Sequence, residues 1–280
     1  MVLSNDSKES ELHTLEKLQT VSTSARQGYT AAIEKPFVLE RLQGDDTGIV
    51  LFRLNRPEAK NAISCTLLSE FQSALNEIKT DLQTRVLIIK SDVKDAFCSG
   101  ADLKERSVMA QNEVSEFVDT IRSLITDLAH LPIPVIAALD GYAIGGGLEL
   151  ALACDLRVAC GTQRLSRLVG LARAKELIFT GRLINGREAE RIGLVNNVIE
   201  ANAAGDAAYS YALKLAQEIL PQGPIALKMA KLAIYKGFEV DLESGLNIEQ
   251  QCYAQVIPTA DRIEGLTAFK EKRRPVFRGE

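Results

Sequence analysis

Two short turns hold the residue types best suited to chemistry, Cys98-Ser99-Gly100-Ala101-Asp102 and Gly145-Gly146-Gly147-Leu148-Glu149. Small residues in both let a ligand approach the main chain closely. The second turn also opens a helix, whose first N–H groups have no partner inside it. Two inward-facing N–H groups on separate turns are what a thioester oxyanion requires. Losing one such donor typically costs about 3 kcal/mol of transition-state stabilisation. Taken singly, either turn is better read as a bend that lets a helix pack close to a strand. Nucleotide-binding readings fail on inspection. Gly145-x-Gly147 is followed by Leu150 where a dinucleotide fingerprint needs a third small residue. Gly141…Gly146 is followed by Gly147 where a phosphate loop needs lysine.

Glu149 is the sharpest single residue. The helix Leu148–Cys154 reads LELALAC, apolar on every face except at Glu149. A carboxylate in such a helix is expected to be at least partly desolvated, which raises its pKa toward the range useful for proton transfer. A plainer role, complementing the dipole of the first helical turn, stands beside that one.

Both turns follow strands, and the surrounding periodicity supplies the elements that hold them. Ile49–Asn55 (IVLFRLN) alternates as a strand does, and Leu67, Phe71, Leu75 and Ile78 recur at helical spacing. Arg85–Lys90 (RVLIIK) is a second strand, followed by a polar loop through Lys94. Val114, Phe117, Ile121, Leu124, Leu128 and Leu131 mark a long amphipathic helix. Pro134–Asp140 (PVIAALD) is a third strand, and a buried helix over Gly147–Cys154 leads to a short strand at Leu156–Ala159. This βαβ rhythm implies parallel strands joined by right-handed crossovers, with ligands collecting outside their carboxyl ends. From Ala204 onward the periodicity is helical throughout, broken by Pro221, Gly223, Pro224, Gly237 and Pro258.

Composition narrows the function. The 280 residues suffice for a large core, and the apolar (46%) and charged (25%) fractions are those of a globular protein. A net charge of −4 argues against non-specific nucleic-acid binding, which rests on Lys and Arg. The five cysteines (Cys65, Cys98, Cys154, Cys160, Cys252) are odd in number and lack zinc-site spacing, so they read as free thiols. With only His13 and His130, neither a histidine-centred triad nor a His-rich metal site is expected. No apolar run approaches the roughly 20 residues of a membrane span. Residues 1–36 read as a flexible arm with a short helix over Glu11–Gln19. Its mixed acids and bases make a weak organellar presequence.

The ordered motifs resemble a known family. Leu54-Asn55-Arg56-Pro57-Glu58-Ala59-Lys60-Asn61-Ala62, Phe97–Lys104 (FCSGADLK) and Asp140–Ala151 (DGYAIGGGLELA) look like successive signatures of the crotonase (enoyl-CoA hydratase/isomerase) family. Gly161–Leu165 (GTQRL) and Gly181–Val195 (GRLINGREAERIGLV) continue the match, and within the family the chain is most similar to short-chain enoyl-CoA and methylglutaconyl-CoA hydratases. The resemblance implies an α/β fold with a ββα superhelix core over 37–203 and a helical region over 204–280 of the same domain. That region would pack a homotrimer or a dimer of trimers. The resemblance makes the N–H groups of Ala101 and Gly146 the oxyanion hole, and Glu149 one of two carboxylates that add water to a 2-enoyl-CoA. Arg56, Ala59 and Lys60 with Ala101, Asp102, Leu103 and Lys104 would line the CoA groove, the two lysines near its phosphates. The basic end Lys270, Lys272, Arg273 and Arg274 would either reach a CoA phosphate or, more simply, form a solvated face. No metal or redox cofactor and no nucleic-acid partner is implied. The location implied is mitochondrial, with the cytoplasm or peroxisome as alternatives.

One departure from the family is serious. Asp155-Leu156-Arg157-Val158-Ala159-Cys160 runs directly into Gly161-Thr162-Gln163-Arg164. Family members interpose a short strand and a Gly/Pro-rich loop here, roughly 10–18 residues by ordinary element lengths. That insert carries the second carboxylate, and no Glu or Asp lies between Asp155 and Glu176. The expected consequences are an exposed sheet edge, a missing stretch of pocket wall and impaired hydration. Glu105 and, less well placed, Glu176 are the candidates to substitute. Three functions follow: a hydratase, weak or dead; a silent acyl-CoA binder or oligomer partner; and an RNA binder. The last is disfavoured, because the helix after the first strand, CTLLSEFQSALNEIKTD, holds only Lys79 as a lysine.

Overall fold

Alternating apolar residues divide the strands between two cores. Val50, Phe52, Leu54, Leu87, Ile89, Val135, Ala137 and Leu139 face one side; Ile49, Leu51, Val86, Ile88, Ile136, Ala138 and Val158 face the other. The computed structural model describes residues 35–160, 162–163, 169–180 and 182–280. The chain opens with β1 (Phe37–Arg41), β2 (Ile49–Leu54), α1 (Cys65–Thr80), β3 (Val86–Ser91), β4 (Ala96–Cys98), α2 (Leu103–Arg106) and α3 (Gln111–Ala129). Then come β5 (Val135–Leu139), β6 (Tyr142–Ala143), α4 (Gly146–Leu152), β7 (Leu156–Ala159), β8 (Thr162–Gln163) and α5 (Leu171–Thr180). After β9 (Ile184–Asn185), α6 (Gly186–Arg191) and β10 (Asn197–Val198) only helices follow: α7 (Ala207–Ile219), α8 (Pro224–Gly237), α9 (Leu242–Val256) and α10 (Ala260–Glu271).

Among the described residues the large sheet runs β1-β2-β3-β5-β7-β10, parallel except for the β1–β2 pair. A small sheet runs β4-β6-β8-β9. The first core lies under α1, α3 and α4, where Phe37, Phe52 and Phe71 stack with ring centroids 5.1–5.3 Å apart. The second lies under α7, whose Ala208, Ala212 and Ala216 recur at i, i+4 and i+8 and let the helix sit close on the sheet. Helix starts follow their caps: Ser64 accepts from Leu67 N–H at 3.1 Å, and Glu113 accepts from Ala110 N–H at 2.7 Å. Contacts group Pro36–Glu280 as one compact unit, apart from Met1–Lys35. The helix expected over Glu11–Gln19 lies outside the described residues.

A pattern repeats three times, as the ββα resemblance implies. β3, β5 and β7 lie in the large sheet, and each is followed by a short strand of the small sheet (β4, β6, β8) and then a helix. This repeat corrects one expectation. The segment missing after Cys160 leaves no open edge at β6, because β8 pairs with β6 on one side (Ala143↔Gln163) and with β9 on the other. The reason is spacing. Two residues of sequence separate β7 from β8, as two separate β5 from β6. The chain therefore re-enters the small sheet at its next position. Backbone pairing asks little of side-chain identity, so Thr162–Gln163 can serve. If β8 holds this slot, Gln163→Pro, which removes an N–H from a strand paired on both sides, should lower unfolding free energy by about 2–3 kcal/mol in urea titrations. An unchanged midpoint would mean β8 is not structurally engaged.

Candidate active site

The two turns singled out in the sequence meet. Ile63 N–H donates to the Gly100 carbonyl at 2.8 Å, and Asp102 N–H donates to the Ile63 carbonyl at 3.0 Å. These bonds form a parallel bridge between Ile63 and Ala101. Because Gly100 and Asp102 supply both of them, the N–H of Ala101 points the opposite way. Gly100, at φ +88°, presses against the second turn. A Cβ there would lie 2.8 Å from the Ile144 oxygen and 3.2 Å from the Gly146 nitrogen. A Cβ on Gly146 would in turn sit 3.9 Å from the Ala101 nitrogen. Gly146 is the first residue of α4, so its N–H has no carbonyl one turn back. Among the described residues neither N–H has an acceptor. Gly147 closes the arrangement: any Cβ on it would overlap the carbonyl oxygen and side chain of Cys98, so only glycine lets α4 seat against β4.

A buried polar frame fixes the first turn. Arg56 Nη1 donates to Asp102 Oδ2 at 2.7 Å and to the Ala62 carbonyl at 2.9 Å, and its Nε pairs with Glu58 Oε1 at 3.0 Å. Asp102 also caps α2, accepting from the N–H groups of Lys104 and Glu105. Burial works to raise the Asp102 carboxyl, but the Arg56 guanidinium and the Glu105 and Lys104 N–H groups outweigh it. They hold the group below the ordinary carboxylate range. The charges of Arg56 and Asp102 are thus engaged with each other, and the pair ties the 56–62 segment to α2. Asn61, quoted in the sequence only as part of a motif, proves to be the pivot. It is fully buried at φ +55°, accepts from Arg56 N–H at 2.8 Å and donates to Ser91 Oγ at 2.7 Å and the Phe97 carbonyl at 2.9 Å. No periodicity could reveal it; only its polar type at a left-handed turn offered a signal. Ser99 adds a bond from its hydroxyl to the Ala59 carbonyl, and Ser99 N–H donates to the Lys60 carbonyl. Ala59 is half-buried, while Lys60, Leu103 and Lys104 are exposed on the same pair of segments. Neither lysine makes an ion pair among the described residues.

Among the described residues, the carboxylates considered for the site divide into one without a partner, Glu149, and several engaged ones. Leu148, Leu150 and Ala151 of α4 are buried, whereas Glu149 is exposed. The desolvation expected for Glu149 is therefore absent: the apolar faces of α4 pack inward and leave that position to solvent. Its carboxylate has no partner among the described residues. Glu105 Oε2 accepts from Cys65 N–H at 2.9 Å at the start of α1. Asp140 accepts from the N–H groups of Ala208 and Tyr209 at the start of α7. Burial is the main influence on Asp140, and it raises that carboxyl above its ordinary value. Glu176 pairs with Arg182 at 2.9 Å. At the basic end, Arg273 is taken up by Glu264 and Glu271.

The main-chain donors of Ala101 and Gly146 thus lie together after β4 and β6, in a fold of repeated ββα turns. The chain belongs to the enoyl-CoA hydratase/isomerase family, whose model matches residues 44–160 and 157–280. The two matches overlap at residues 157–160, at the point of departure seen in the sequence. The chain is 50% identical over 279 residues to a protein of Mus musculus named methylglutaconyl-CoA hydratase, mitochondrial, covering 92% of this chain and 89% of that one. Those 279 positions draw on 92% of 280 residues, so about 20 of them have no residue of this chain opposite. It is 52% identical over 258 residues to the Homo sapiens enoyl-CoA hydratase domain-containing protein 2, mitochondrial, covering 85% of this chain and 88% of that one. A crystal structure of enoyl-CoA hydratase from Bacillus anthracis superposes with a TM-score of 0.82 at 41% identity, covering 88% of this chain and all of that one.

The Arg56–Asp102 frame has a pH signature. A carboxyl held below its unfolded value adds stability that is complete above about pH 4 and is lost as pH falls below that through the folded value. Asp102→Asn should therefore cost about 2 kcal/mol at pH 7. Urea unfolding at a series of pH values should show the deficit shrinking below about pH 4. A deficit that stays constant there would mean the carboxylate charge is not what ties the two segments.

Proposed function

We propose that this chain binds an acyl-CoA thioester and is a hydratase-type protein whose addition of water to a 2-enoyl-CoA is impaired. The observation that carries the reading is the pair of neighbouring, unpartnered N–H groups of Ala101 and Gly146, suited to a thioester oxygen that gains negative charge. Exposed Lys60 and Lys104 flank the same turns and suit the phosphates of CoA. Glu149 is the group that would orient and deprotonate water. Addition across the double bond also needs a proton at C2, and the segment that brings the second carboxylate in the family is not in this sequence. Water addition is redox-neutral and needs no redox cofactor, and the proposal includes no metal. The names of the relatives favour an enoyl-CoA such as methylglutaconyl-CoA and a mitochondrial location, and the proposal assigns the reaction to fatty-acid or branched-chain amino-acid breakdown.

Assembly into a homotrimer or homohexamer forms part of the same proposal. Ile234, Phe238 and Leu242, on and between α8 and α9, are 74–87% exposed, as is Phe269 of α10, an apolar surface that a partner subunit would cover. The acidic balance supports no role for nucleic acid. A second reading, a catalytically silent acyl-CoA binder or oligomer partner, draws support from the solvent exposure of Glu149.

Hydration of crotonyl-CoA should run at least about 10²-fold slower than in a version carrying the missing segment. A rate within about tenfold would overturn the impairment, and its loss in Glu105→Gln would then identify the substitute. Glu149→Gln should abolish whatever hydration remains and leave acyl-CoA affinity within a few-fold. Calorimetry should detect binding of a short acyl-CoA to the folded protein; no heat of binding would refute the acyl-CoA reading itself.

A further inference from the structure

A site with two main-chain donors and a single free carboxylate cannot complete every reaction of a thioester. Hydration delivers a hydroxyl to C3 and a proton to C2, and those two tasks call for two groups on the protein. Attack of water at C1 calls for only one. We propose that this site hydrolyses acyl-CoA thioesters, with Glu149 as general base. The proposal rests on the acyl-CoA reading above and goes beyond it.

The step balances without any co-reactant except water. Glu149 takes a proton from water as the oxygen bonds to C1. The carbonyl electron pair moves onto oxygen, where the N–H groups of Ala101 and Gly146 hold it. Collapse of the tetrahedral oxyanion breaks the C–S bond, and coenzyme A leaves as a thiolate. A thiol of pKa about 8.5 departs without a proton from the protein and takes one from solvent afterwards. The products are the free carboxylic acid and coenzyme A, and nothing is oxidised or reduced.

Two features of this chain favour that outcome. Glu149 lies three residues after Gly146, on the same face of α4, and Cα–Cβ bonds tilt toward a helix N-terminus, so its side chain is directed toward the Gly145–Gly146 end of the helix. It is also exposed, so water reaches the base freely, whereas an enclosed site suppresses such side reactions. The other acids singled out above are already engaged. Asp102 is held by Arg56 and α2, Glu105 by α1, Asp140 by α7 and Glu176 by Arg182.

Butyryl-CoA, which has no double bond to hydrate, isolates the reaction. Because Cys65 is an exposed thiol, released coenzyme A is best measured by chromatography instead of a thiol dye. The expected result is release about 10²-fold above a protein-free sample, with oxygen from ¹⁸O-water entering the butyrate. Glu149→Gln should return release to the protein-free rate, while Glu218→Gln, on the exposed face of α7, should retain it. Butyryl-CoA that binds by calorimetry but is not cleaved overturns this inference alone, as does cleavage undiminished in Glu149→Gln. Failure of butyryl-CoA to bind the folded protein overturns the acyl-CoA reading and this inference with it.

Discussion

The bridge between Ile63 and Ala101 is the contact on which the site depends. It uses the carbonyl of Gly100 and the N–H of Asp102, and so turns the N–H of Ala101 outward toward the second turn. Everything around it serves to keep that strand pair in place. Asn61 is saturated by three hydrogen bonds directly before Ala62, and Arg56 clamps the segment to Asp102. The alignment of β3 with β5 then sets the two turns side by side, and Gly147 lets α4 approach β4 closely enough for Gly146 to meet Ala101. A main-chain donor pair of this kind is preorganised because folding itself has oriented it.

The gap after Cys160 separates two properties that usually travel together. Strand pairing is a backbone interaction, and the residues after the gap can enter the small sheet between β6 and β9 whatever their side chains. A proton relay is a side-chain property and does not carry over in that way. The fold therefore absorbs the shortening through backbone pairing, whereas the impairment proposed above concerns side chains.

The helical third of the chain is joined to the sheet by polar ties as well as apolar ones. Asp140 accepts two N–H groups at the start of α7, and Lys231 of α8 donates to Asp155 at 2.7 Å and to the Ile133 carbonyl at 2.8 Å. α8 and α9 cross where Gly237 and Gly245 come together, which permits close packing of the pair and leaves their outer apolar residues uncovered.

Much of this was legible in the sequence. Strands β2, β3, β5 and β7 and the helices α1, α3 and α4 follow from local periodicity, because burial on one or two faces imposes it residue by residue. The family followed from ordered motifs, and the absence of Glu and Asp between Asp155 and Glu176 from simple inspection. Strands β4, β6, β8, β9 and β10 did not show themselves. At two or three residues each they are too short for a period, and partners distant in sequence stabilise them. The tertiary structure alone decided that β8 closes the small sheet, that Arg56 and Asp102 neutralise each other, and that Asn61 anchors the turn. It also decided that Glu149 stands in solvent. A helix with one polar position predicts which residue is different; whether that residue is buried depends on what packs over it, and that is set by the rest of the chain.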